Sequence, residues 1–170
     1  KGLAYCEIVV GNLSSYDDYP DGHCERLRKV RGPSGEKLVL EDNYFIENIF
    51  TGGVLRKIDV ETMEEIRRPY KGAKENKRPT LRWPRQIPIE GEPKAVVKHV
   101  DKLSGWMTEN DIPKLFLRAV PGQILFGADF EVINSWPNQT VVEVRGLHHP
   151  QEDSPDEMGL ALRDWYQSLS

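Results

Sequence analysis

Apolar and polar positions divide the chain into three textures. Residues 1–10, KGLAYCEIVV, form a short apolar run ending in β-branched residues, the pattern of a buried strand. Residues 11–112 are polar, broken by Pro and Gly, and carry patches of helical period: HCERLRKV (23–30), EKLVLEDNYFIENIF (36–50) and VETMEEIRRPY (60–70). The best helix there is 93–110. Its Val96, Val97, Val100, Leu103, Trp106 and Met107 recur at three and four, and Pro93 suits a first helical position. Residues 113–170 change again. KLFLRAV (114–120) reads as a buried strand closed by Pro121-Gly122, 127–136 as a short helix, and TVVEVRGL (140–147) as a strand. A last helix follows, with Met158, Ala161, Leu162, Trp165 and Leu169 as its apolar stripe. Ser154, Pro155 and Glu157 occupy the N-cap, first and third positions expected of a capping box.

Alternating strand and helix predicts a parallel α/β sheet. Three regions are expected: a strand at 1–10, a mainly helical insertion at 11–112, and an α/β part at 113–170 that completes the sheet begun by the first strand.

Composition narrows the function. The 170 residues have a net charge of −4 and 29% charged positions without a dominant basic block, which argues against a nucleic-acid partner. No apolar run approaches the ~20 residues of a membrane span, and nothing reads as a secretory signal, so a cytoplasmic protein without a membrane partner is expected. Cys6 and Cys24 do not make a disulfide framework. The chain opens inside its first apolar run without an initiator Met, so it is expected to be a piece of a longer protein.

The stretch GLHHPQEDSPDEMG (146–159) holds the candidate chemistry. Parallel sheets react at the carboxyl ends of their strands, and His148 lies just past such an end. Glu7 sits in the first strand between Cys6 and Ile8, where a carboxylate is costly to bury unless paired. A buried Glu–His pair could activate water, the carboxylate fixing the tautomer of the imidazole and stabilising its cation. The competing reading makes Glu7 an exposed strand end and His148 a loop residue, and both readings stand on spacing alone. Neighbouring His148 and His149 diverge, and no HExxH or Cys pair supports them, so no metal site is expected. A nucleophile elbow of the G-x-S-x-G type, or a relative with Asp or Cys, is absent from the sequence.

Several motifs carry a family resemblance in order: YDDYPD (16–21), GEKLVLEDNYFIE (35–47), KRPTLRWPRQIPI (77–89), IPKLFLRAVPG (112–122), SWPNQT (135–140) and the His148 stretch. Together they resemble the haloalkane dehalogenases of the α/β-hydrolase superfamily, and equally the related Renilla-type coelenterazine luciferases. The resemblance covers the C-terminal part of such an enzyme. It implies an α/β-hydrolase fold carrying a helical cap domain at 11–112, and no cofactor or metal. In that family an Asp displaces halide to give an alkyl-enzyme ester, and a His activates the water that hydrolyses it. The resemblance assigns that base to His148 and its acid to Glu7, with the nucleophile upstream of Lys1. It nominates Tyr19, Phe45, Trp83, Pro84, Ile124, Leu125 and His149 as pocket residues, with Tyr16 placed like Tyr19. The implied partners are a small apolar halogenated substrate, halide and water, and either the missing N-terminal half or a second copy. The alternatives are a luciferase-type monooxygenase and a non-catalytic fragment; on its own the chain is expected to be inactive.

Overall fold

The computed structural model describes residues 1–8, 10, 11, 13 and 23–169, except the side chains of His23 and Cys24. The chain divides into two compact units, one made of Lys1–Asn12 with Val97–Ser170, the other of Leu13–Val96.

The first unit is built on three parallel strands in the order β1 (Leu3–Tyr5), β2 (Lys114–Pro121) and β3 (Gln139–Gly146). Leu3 to Tyr5 pair with Lys114 to Phe116, and Lys114 to Pro121 pair with Gln139 to Gly146. Strand β2 is central and buried on both faces, which explains its unbroken apolar run. Leu115 and Leu117 point to one face, where they cluster with Val144 of β3 and with Trp165 of the last helix. Phe116 points to the other and packs with Met107, Ile133 and Trp136. Helices α5 (Lys94–Glu109) and α6 (Gly127–Asn134) contribute to that second face. The end of the chain forms α7 (Pro150–Asp153) and α8 (Pro155–Ser168).

Three local expectations are revised. The first strand is short and not buried: its ladder ends at Tyr5, Leu3 is 37% exposed, and most of the apolar run 1–10 lies outside the sheet. Of the stripe on α8, Trp165 is buried, with Met158, Ala161 and Leu169 against it, but Leu162 is 44% exposed. Ser154 precedes α8 as expected but does not cap it; its hydroxyl bonds elsewhere.

Lys114 opens the central strand with no exposed surface. Its ammonium donates to the carbonyls of Asn110, Ile112 (3.2 Å) and Pro137 (2.9 Å), which satisfies a charge that burial would otherwise penalise.

The second unit is helical: α1 (His23–Arg31), α2 (Gly35–Leu40), a π-helical turn at Phe45–Phe50, α3 (Val60–Arg67) and α4 (Arg78–Arg82). The periodic stretch 36–50 is therefore broken, and Asn43 turns the chain with φ +54°. Val30, Val39, Phe45, Ile46, Ile49 and Leu81 form its core. Asp59 caps α3 by accepting from the Thr62 amide at 2.8 Å. Arg67 grips Glu47 of the π-turn with two bonds of 2.7 and 2.6 Å. Leu13 and Ile89 form a parallel bridge: the Leu13 amide donates to Pro88 and its carbonyl accepts from Glu90. Among the described residues no helix is long and apolar enough to cross a membrane.

Candidate active site

The carboxyl ends of the three strands bring together residues far apart in sequence. After Tyr5 the chain leaves β2, and the Glu7 side chain is 3% exposed. Beyond β3 the chain turns at Gly146, which packs so close to Pro150 that an added Cβ would lie 2.8 Å from its Cα. His148 sits on that turn, its side chain 21% exposed, with Nδ1 3.9 Å from Oε2 of Glu7. This is within ion-pair reach and beyond hydrogen-bond length. The imidazole of His149 lies against that of His148, with centroids 4.7 Å apart.

The turn after β2 completes the cluster. The Ile124 amide donates to Glu7 Oε2 at 2.8 Å, and the Gly122 amide donates to the Gly146 carbonyl at 3.0 Å. Next to Glu7, burial pushes the Cys6 thiol above its ordinary range; hydrogen bonding at Glu7 opposes that shift and the Glu7 charge adds to it. Among the described residues no group of three His, Cys, Asp or Glu side chains could hold a metal ion.

The remaining nominated residues divide between the units. Leu125 packs in the first unit against the cluster around Phe116 and Trp136. In the second unit, Phe45 belongs to the core and meets Trp83 edge-on at 6.3 Å; Trp83 is 62% exposed, and Pro84 is buried. Tyr16 and Tyr19 lie outside the described residues. An apolar cavity of about 170 Å³ is lined by Leu3, Tyr5, Val100, Leu103, Met107 and Trp136, among others; Glu7, Ile124, His148 and His149 are not in its walls.

Sequence reasoning nominated the side chain of Ile124 and missed its main-chain N–H. The available signal was the Pro-Gly turn at the carboxyl end of a central strand, where exposed amides gather.

No family model matches the chain. It is 42% identical over 169 residues to a haloalkane dehalogenase of Sphingobium indicum, an alignment covering 99% of this chain and 57% of that protein. It is 36% identical over 171 residues to the coelenterazine h 2-monooxygenase of Renilla reniformis, covering 99% and 54%. The crystal structure of a Bradyrhizobium elkani haloalkane dehalogenase superposes with a TM-score of 0.91 at 30% identity, covering 98% of this chain and 58% of that one. The resemblance read from the motifs is borne out, and the fold is a portion of an α/β-hydrolase fold. The chain spans a little over half the length of the curated relatives it matches.

Proposed function

We propose that this chain supplies the acid–base part of a haloalkane dehalogenase, with Glu7 orienting His148. The observation that supports this most directly is the approach of the buried Glu7 carboxylate to His148 Nδ1 at the carboxyl ends of parallel strands. In this reading an Asp elsewhere in the protein attacks the carbon bearing the halogen, expels halide and forms an alkyl ester. The second ring nitrogen of His148 then takes a proton from water as that water attacks the ester carbonyl. Alcohol leaves, the Asp carboxylate is regenerated, and the proton passes from the imidazolium to solvent. Glu7 stabilises the imidazolium while it exists. No cofactor or metal is required.

In this reading residues 11–112 are the cap, and Ile124, Leu125 and His149 are the first unit's contribution to substrate binding. Water, halide and a small apolar halogenated substrate are its partners, and the protein works in the cytoplasm. The rest of the protein, or a second copy, supplies the nucleophile. Support for such a partner comes from β1, which pairs only with β2 among the described residues, and from the apolar cavity beside it.

The test is halide release by the protein in its natural length, with and without His148→Ala. The variant should release at most one equivalent of halide and accumulate an alkyl ester detectable by mass. Sustained halide release over many turnovers by the variant would overturn the assignment.

The 36% identity to a coelenterazine monooxygenase favours a second reading, in which the same pair serves oxidation of an imidazopyrazinone by molecular oxygen. Light output without halide release would select it.

A further inference from the structure

We infer that the turn Pro121–Ile124 is a positioning element for His148, acting through Glu7 and through the end of β3. The inference rests on the pairing of Glu7 with His148 proposed above and adds the backbone that sets it.

Two amides of this turn face the two halves of the pair. Ile124 N–H donates to Oε2 of Glu7, the same oxygen that faces His148 Nδ1. Gly122 N–H donates to the carbonyl of Gly146, two residues before His148. One rigid turn therefore fixes both the carboxylate and the root of the histidine loop. Gly122 makes the geometry possible. Its φ is +74°, and an added Cβ would lie 2.9 Å from the Ala119 carbonyl oxygen and 3.4 Å from Oε1 of Glu7. A side chain at 122 would press on the carboxylate and strain the turn.

A main-chain donor suits this task. It carries no rotamer freedom, and a hydrogen bond to the ionised carboxylate favours the charged form. The donor holds the Glu7 carboxylate oxygen in place 3.9 Å from His148 Nδ1. Other ionisable groups on the surrounding elements include Cys6 beside Glu7, His149 against the imidazole, Arg118 on β2, Glu143 and Arg145 on β3, and Glu152 and Asp153 on α7. The test must separate them from Glu7.

The experiment follows the His148 ring nitrogens and the Ile124 amide by NMR in the natural-length protein. Glu7→Gln should shift the His148 Nδ1 resonance and move the Ile124 amide proton upfield. Ile124→Pro, which removes the N–H, should shift His148 Nδ1 in the same direction. Ile124→Val, which keeps the N–H, should leave it unchanged. The effect of Glu7→Gln on the Ile124 amide decides the matter if Ile124→Pro does not fold. An Ile124 amide indifferent to Glu7→Gln, or a folded Ile124→Pro with an unchanged His148 Nδ1 resonance, overturns the inference. Neither readout depends on halide chemistry, so failure of the dehalogenase reading would show separately in the halide assay.

Discussion

The hydroxyl of Ser154 donates to the carbonyl of Arg145 at 2.7 Å, tying the start of the last helix to the end of β3. The residues between them include Gly146 and His148, so this bond closes the base of the histidine loop. Ser154 is 7% exposed, and its removal leaves the Arg145 carbonyl without that donor. Ser154→Ala should cost about 1–2 kcal/mol in denaturant unfolding. It should also speed hydrogen exchange at the loop amides more than at β2. A loss confined to helix α8 would instead assign Ser154 an ordinary capping role.

Glu7→Gln keeps the shape of the side chain and its acceptor for the Ile124 amide, and removes the charge facing His148. On the proposed dehalogenase reading, turnover in the natural-length protein should fall by roughly 10²–10⁴-fold, mostly in ester hydrolysis, with the fold retained. Circular dichroism and burst kinetics check this together. Unfolding of the variant would make Glu7 a structural residue.

Lys114 predicts a stability effect remote from the chemistry. Lys114→Met fills the same space but leaves the carbonyls of Asn110, Ile112 and Pro137 without their shared donor. Urea unfolding should show a loss of about 2–4 kcal/mol. Activity per folded molecule should persist, because Lys114 lies at the opposite strand end from Gly122 and Gly146.

The Glu47–Arg67 pair predicts a pH dependence in the helical unit. Hydrogen bonding from Arg67 holds the Glu47 carboxyl below its usual range, against the opposing effect of burial. A depressed carboxylate contributes stability above its unfolded value, about 4.3. That contribution is lost as pH falls through the lower folded value. Both side chains are about a third exposed, so solvent screening limits the contribution to about 1 kcal/mol at neutral pH. Glu47→Gln should lower the melting temperature at pH 7 and have little effect at pH 3. An equal drop at both values would point to packing rather than charge.

Much of this was legible in the chain, and the exceptions have physical causes. Strand 114–120 was readable because burial on both faces forces an apolar run, and 140–147 because its limits are marked by polar and Gly residues. Glu7 and His148 could be nominated because each residue type is unusual at its position. Neither the length nor the exposure of β1 was legible: an apolar run suggests burial, and only the neighbouring elements decide how far a strand pairs and whether it is covered. Lys114 reads as polar, since its burial depends on three carbonyls distant in sequence or set by turns. Ser154 carries the letters of a cap, yet a nearby strand carbonyl competed successfully for its hydroxyl. The π-turn at Phe45–Phe50 shares its apolar spacing with an ordinary helix, and the sequence does not mark the extra residue in each turn.

The bridge between Leu13 and Ile89 has a consequence for how this protein can change over generations. Leu13 at the entry of the helical unit and Ile89 near its exit are stitched side by side, so the unit closes its own loop. Each doubling of a closed loop costs only about 0.6 kcal/mol of chain entropy. Segments between Leu13 and Ile89 can therefore lengthen or shorten at small cost in chain entropy, while β1 and β2 keep their register. The Glu7–His148 pair lies outside that unit and is untouched by such changes of length.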